Sequence, residues 1–416
     1  MNWRYWLFVA GRAVSTLGDG FGTIAMGWLV YDLTGSKLAM GSLYLVGMVP
    51  EVLLRLFGAP IIDRVNRTRL MASLDTLQFV TYLTPLLLSW TGHLQLWHLY
   101  ALYVVAGIAH SLYRPAVLTV VPSLVGPERL TRAVSVLDGT LQAALVTGPV
   151  IAGFVVTYVS GAAALALNAL TFAVSALALV LITGRAQPGG ESKAAAKQPY
   201  WEQLTEGFGF FRQMPALFLL TLMLGISNIS AWAIFSMHAP YVKERLMAGP
   251  EIVGAMQAAW PLGFLVGTAM IATIGEVRRR RTLMLGALIG AGVALGGLGL
   301  VPAGMVPAAL ALKVMEGFSF SLFSNTSTVL FQRLVPDRLL GRVMSVRLLL
   351  AWGGNPVGAF LGGFLGERMG LGPTFVLAGG LSVLVGLVGF GVASLKAVDG
   401  EMRVAEGRQH AVQSQG

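Results

Sequence analysis

The stretch LVGPERLTRAVSV at 124–136 is answered by LVPDRLLGRVMSV at 334–346, an offset of half the chain. Further pairs agree with that offset. Gly148-Pro149 is answered by Asn355-Pro356, and the basic loop DRVNRTRLM (63–71) by GEVRRRRTLM (275–284). Each copy carries a basic segment and then a long apolar run, so the repeated unit is itself a set of apolar segments joined by charged loops. A repeat of this kind is a signature of secondary transporters, which bind substrate between the repeats near the bilayer midplane.

Composition supports a membrane setting. The 416 residues are 55% hydrophobic and 12% charged, with a mean hydropathy of +0.72, whereas soluble domains carry about 25% charged residues. A soluble enzyme is excluded. One helix crosses a bilayer with about 20 apolar residues, and twelve runs meet that need: 5–31, 39–62, 70–90, 97–121, 133–158, 161–183, 215–240, 252–275, 282–301, 307–332, 343–367 and 373–395. The 52 glycines suit closely packed membrane helices. With no cysteine, disulfide scaffolds, thiolate metal sites and cysteine nucleophiles are excluded. Arg12 and Asp19 interrupt the first run, which therefore reads as a span and not as a cleaved leader.

The expected fold is an all-α polytopic membrane protein, twelve transmembrane helices in two six-helix pseudo-symmetric halves. The first half covers 1–183, a linker 184–214, the second half 215–395 and a tail 396–416. The linker begins GRAQPGGESKAAAKQP, a composition that reads as flexible. Loops on the side of the termini hold Arg64, Arg67, Arg69, Arg129, Arg132, the run Arg278 to Arg281, Arg333, Arg338 and Arg342. Loops on the other side hold only Lys37, Lys243, Arg245 and Arg368. The positive-inside rule then places both termini in the cytoplasm. The net charge of +10 is spread over these loops rather than clustered on one surface, so no nucleic-acid partner is expected.

With these features in place, the whole chain resembles the major facilitator superfamily. That family's loop after the second span looks like G-x-x-x-D-R-x-G-R-R. Here it reads Ala59-Pro-Ile-Ile-Asp63-Arg64-Val-Asn66-Arg67-Thr-Arg69, with both glycines replaced. The fifth span is similar to the family's antiporter motif G-P-x-x-G-G, as Gly148-Pro149-Val-Ile-Ala152-Gly153. STLGDGFGTIAMGWLVYDLTGS (15–36), the Pro50-Glu51 of the second span and the 334–346 string resemble the macrolide-efflux and enterobactin-exporter branch. Gly18-Asp19 and Tyr113-Arg114-Pro115-Ala116 are shared with bacterial lysophospholipid transporters, the alternative branch. The resemblance implies a monomer in the bacterial cytoplasmic membrane. Its first, fourth, seventh and tenth spans line a cavity, flanked by the second, fifth, eighth and eleventh, and every third span lies outside. It also implies that Asp63, Arg64, Arg67 and Arg69 latch onto the start of the eleventh span. Gly148, Pro149 and Gly153 would then seal one side of the cavity.

Charges inside spans are costly, about 2.5–3.5 kcal/mol on insertion scales, and mark substrate or proton pathways. Asp19 lies near the middle of the first span, on one helical face with Arg12 and Ser15, and is the leading proton-coupling candidate. Glu51 and Arg55, at i, i+4, read as a self-neutralising pair. Arg114 and Asp138 match in depth on neighbouring spans, and Lys313 and Glu316 lie at i, i+3 in the tenth. His110, Gln142, Asn228, Trp232, Gln257, Trp260 and Asn355 are on spans expected to border the cavity, where core packing is the competing role. No G-x-x-x-x-G-K-[ST] stretch offers an ATP site, and no histidine has metal-ligand spacing, so no cofactor or metal is expected. These features lead to a secondary active transporter, a proton-coupled exporter of amphipathic small molecules such as drugs or siderophores. The alternatives are a lysophospholipid transporter or flippase and, from another class, a membrane enzyme or sensor. The expected partners are the substrate, protons and lipid.

Overall fold

The computed structural model describes residues 1–57, 66–183, 200–275 and 279–396. Among them there is no strand. The first half is six helices: α1 (Trp3–Thr34), α2 (Lys37–Phe57), α3 (Arg67–Trp90), α4 (Leu96–Leu124), α5 (Leu130–Tyr158) and α6 (Gly161–Thr183). A short α7 (Tyr200–Gln213) precedes α8 (Pro215–Phe235), α9 (Pro250–Ile274), α10 (Arg280–Leu298) and α11 (Val306–Leu334). Then come α12 (Asp337–Trp352), α13 (Asn355–Met369) and α14 (Leu371–Gly391). Among the described residues, nine helical stretches are long and apolar enough by composition alone to cross a membrane, with α12 and α13 counted as one.

Two features depart from the sequence reading. The later part of the expected flexible linker is α7, amphipathic enough to lay Leu204, Phe210 and Phe211 into the second half's core while Glu202 and Arg212 stay out. The eleventh span is broken. Gly353 and Gly354 weaken the helix between Trp352 and Asn355, and Pro356 has no backbone N–H to continue the ladder. Asn228 of α8 donates from Nδ2 to the Ala351 carbonyl at 2.8 Å, satisfying one acceptor freed by the break. Broken helices survive at membrane depth only where other protein groups or a cavity meet the loose backbone.

In the first half α1 packs on α5 and α6, and α3 on α4 and α6. In the second, α9 packs on α11, α10 on α11 and α14, and α13 on α8. Two crossings join the halves, α5 on α9 and α2 on α13. Both are made by small residues. A Cβ on Gly254 would lie 2.2 Å from the Pro149 carbonyl oxygen, and one on Gly41 2.6 Å from that of Ala359. Backbones that close admit only glycine. Leu170, Val174 and Leu177 on α6, with Leu381, Leu384 and Val388 on α14, stay exposed, as expected of outer helices facing lipid.

Among the described residues, the hydrogen bonds and ion pairs seen between the halves gather at the end opposite the termini, here called the distal end. Lys37 pairs with Glu244 at 2.7 Å and Lys243 with Asp32 at 2.6 Å. Tyr31 hydrogen-bonds Glu244. Glu367 of α13 accepts from the Lys37 and Leu38 backbone N–H groups at 2.7 and 3.3 Å, capping α2 from the other half. Beneath this layer Tyr44 of α2 makes edge contacts with Trp232 and Phe235 of α8 and with Tyr103 of α4. By contrast α12, the part of the eleventh span nearer the termini, packs on α7, α8 and α11 of its own half. The described polar contacts between the halves thus lie at the distal end.

Candidate functional site: buried charges beneath a sealed gate

In the first half, α1, α3, α4 and α6 bring a polar cluster together inside the bundle. The Arg12 guanidinium lies over the Tyr113 ring, 4.4 Å from its centroid, and contacts the Ser15 and Thr16 hydroxyls at 3.5 Å. Tyr113 donates from Oη to Asp75 Oδ2 at 3.0 Å. Asp75 is fully buried, its Oδ1 has no hydrogen-bond partner among the described residues, and Gln78 lies one turn along α3. Asp19 is half-buried, two turns from Arg12 on α1, and the charges of Arg12 and His110 act on its carboxylate. Asp19 and Asp75 also act on each other. Both carboxylates thus lie within electrostatic reach of Arg12, and Asp19 of His110 as well.

α1 reaches its neighbours there through glycines on both sides of the acid. A Cβ on Gly18 would overlap Thr171 and Asn168 of α6, and one on Gly22 would lie 2.7 Å from Asn168 Nδ2. The Gly18-Asp19 pair therefore sets the packing of α1 as well as supplying the carboxylate.

The remaining expected site residues divide into several groups. Lys313 and Glu316 form a buried ion pair at 2.6 Å. Asn228 supports the helix break and Trp232 packs in the aromatic layer of the gate. His110, Asp138 and Gln142 are exposed on α4 and α5, and Glu51 is half-buried. Asp63 and Arg64 lie outside the described residues, as do the side chains of Arg55 and Arg114, so the expected Arg114–Asp138 pair is not described. Arg67 and Arg69 begin α3, whose first turn Asn66 caps by accepting from the Arg69 backbone N–H at 3.1 Å. Gly148 faces α1 in its own half, where a Cβ would lie 2.6 Å from the Leu17 carbonyl oxygen. Gly153 is the glycine of that motif that meets the other half, against Pro250 and Glu251.

Sequence reasoning saw Asp75 as an acid within a span and Tyr113 within a motif but gave neither a site role, and it did not foresee the distal ion pairs. Asp75 sits on a span expected to face lipid, and only its place in a depth-matched set with Arg12 and Tyr113 could have flagged it. The distal charges read as ordinary loop residues.

A family model described as transmembrane secretion effector matches residues 4–413. The chain belongs to that family, within the major facilitator superfamily. It is a multi-pass membrane transporter and not an enzyme. It is 21% identical to macrolide efflux protein A of Streptococcus pyogenes over 390 residues, 93% of this chain and 96% of that one. It is 25% identical to the multidrug efflux pump Tap of Mycolicibacterium fortuitum over 389 residues, 92% and 94% of the two chains. Among solved structures, the nucleoside transporter NupG superposes with a TM-score of 0.66 at 14% identity, over 94% of this chain and 99% of that one. A bacterial homologue of the iron transporter ferroportin in an inward-facing state gives 0.69 at 18% identity, with the same coverage. These likenesses confirm the fold expected from the repeat.

Proposed function

We propose that this transporter is a proton-coupled exporter of amphipathic small molecules in the bacterial cytoplasmic membrane, with both termini in the cytoplasm. What supports the reading is a buried polar cluster in which Arg12 lies over the Tyr113 ring, Tyr113 hydrogen-bonds Asp75, and Asp19 stands two turns from Arg12 on α1. One guanidinium balances one carboxylate. In a low-dielectric interior the second acid is accommodated by a proton or a cationic substrate, so proton and cargo compete for one charge. Asp19, half-buried, is the acid assigned to the exchanging proton, and Asp75 fixes the Tyr113 ring that lies against Arg12. Under the positive-inside reading the distal end is external, and this conformation faces inward. Relatives named for macrolide and multidrug efflux support a drug-like cargo. The half-buried cluster of Trp260, Phe264 and Phe320 supplies a stacking surface for a flat one.

Reconstitution into liposomes with an imposed pH gradient tests this. Uphill, uncoupler-sensitive movement of a macrolide or cationic dye is expected. Transport of lysophospholipids alone, indifferent to the gradient, would overturn the reading in favour of a lipid carrier.

A further inference from the structure

We propose that His238 is a proton-binding site built into the distal gate, one that takes up a proton when the gate opens. α8 ends at Phe235, and the chain turns through His238–Pro240 into a π-wound segment, Tyr241–Arg245. π winding is rare and recurs at functional positions. Two residues on, Met247 has a φ of 54°, which bulky L residues avoid. This wound segment carries Lys243 and Glu244, the gate's ion-pair partners, and His238 lies at its root.

His238 is 2% exposed, and neither ring nitrogen has a hydrogen-bond partner. An imidazole always has at least one N–H, and in its neutral form an acceptor too. Leaving both unmade in a dry site is unfavourable, and such groups in native structures ask for a reason. The Phe235 ring lies 5.1 Å away, and the turn packs on α1 of the other half and on α9. Lys313 is the charge that bears on the ring.

The carboxylates of the neighbourhood are engaged elsewhere. Glu316 holds Lys313, Glu244 holds Lys37 and Tyr31, Asp32 holds Lys243, Glu251 holds Thr157 and Glu367 caps α2. Arg245 is spent on the Val301 carbonyl at 2.8 Å. A charged ring in the closed gate would sit beside a lysine with no anion of its own. Parting α1 from the turn admits water and gives both nitrogens partners. A hydronium ion arriving through that water transfers its proton to the ring, forming a second N–H and leaving a neutral water. The imidazolium opposes reclosure until the proton leaves to water.

The inference rests on the transporter reading proposed above but not on the coupling role of Asp19. The chain has no cysteine, so Thr91→Cys and Ala303→Cys put spin labels at exposed distal positions of the two halves without background labelling. Between pH 8 and pH 5 the fraction of long distances should rise in the labelled protein. His238→Gln, or His238→Asn if the first folds poorly, should abolish that response. Replacing the ion pair, Lys313→Gln with Glu316→Gln, should move its midpoint to higher pH. Asp19→Asn should lose uphill transport and keep the gate response. A response that survives loss of the histidine, vanishes in Asp19→Asn or is absent from the parent overturns the proposal. Transport indifferent to the pH gradient, with the gate response intact, would instead sink the coupling reading alone.

Discussion

A carboxylate inside a helical bundle persists only with a counter-charge or a proton, and Arg12 acts on both Asp19 and Asp75, with His110 also acting on Asp19. The two differ in their surroundings. Asp75 is fully buried and held by Tyr113, whereas Asp19 keeps part of its surface. Asp19→Asn preserves shape and removes the titrating group, so gradient-driven transport should be lost while insertion is normal. Uphill accumulation at the parent rate in liposomes would refute the assignment. Tyr113→Phe deletes the hydrogen bond to Asp75 but keeps the ring under Arg12. A buried hydrogen bond to a charged group contributes about 1.5–3 kcal/mol, so the variant should unfold earlier in a thermal ramp and still transport. A stable but uncoupled Tyr113→Phe protein would instead move Asp75 into the proton path. Asp19 was legible in the sequence because an acid in mid-span stands out. Asp75 was not, because which face of a third span turns inward depends on contacts with α4 and α6 that no local pattern encodes.

The helices themselves were legible nearly to their ends, since apolar runs long enough to cross a bilayer admit few other readings. The break at Gly353-Gly354 was hidden for the opposite reason. α12 and α13 together read as one apolar stretch, and what stabilises the gap is Asn228 on a distant helix. The Gly-Pro motif was found but its two contacts were not separable in sequence. Gly148 packs within its half against Leu17, and Gly153 crosses to Pro250 and Glu251. Two outcomes follow. Gly148→Leu should lower folded yield without loosening the gate, because α1 and α5 belong to one unit. Gly153→Leu should push α5 from α9, opening the distal end. Proton leak into liposomes at matched protein content reads the difference. A tight Gly153→Leu protein would show that the crossing yields without cost.

At the scale of the whole molecule the question is which end is held shut. The described contacts place the latch at the distal end, in Asp32–Lys243, Lys37–Glu244 and the Glu367 cap on α2. The sequence pointed instead to the Asp63 loop at the other end. Asp63 and Arg64 of that loop lie outside the described residues, so the expected outcomes here concern the distal contacts. Exposed ion pairs contribute little singly, about 0–1 kcal/mol, but a network across one seam acts together. Glu244→Lys replaces two attractions, to Lys37 and Tyr31, with a repulsion, and should shift the population toward distal-open. Adding Lys37→Glu restores an opposite-charge pair of reversed sense and should return most of the closed population. High salt should mimic the single variant in part, since the pairs are screened over about 8–10 Å. Spin-label distances at the distal ends, in the single and the double variant, provide the test. If the double variant stays as open as the single, the charges do not act as a pair, and the aromatic layer around Tyr44 alone holds the seal.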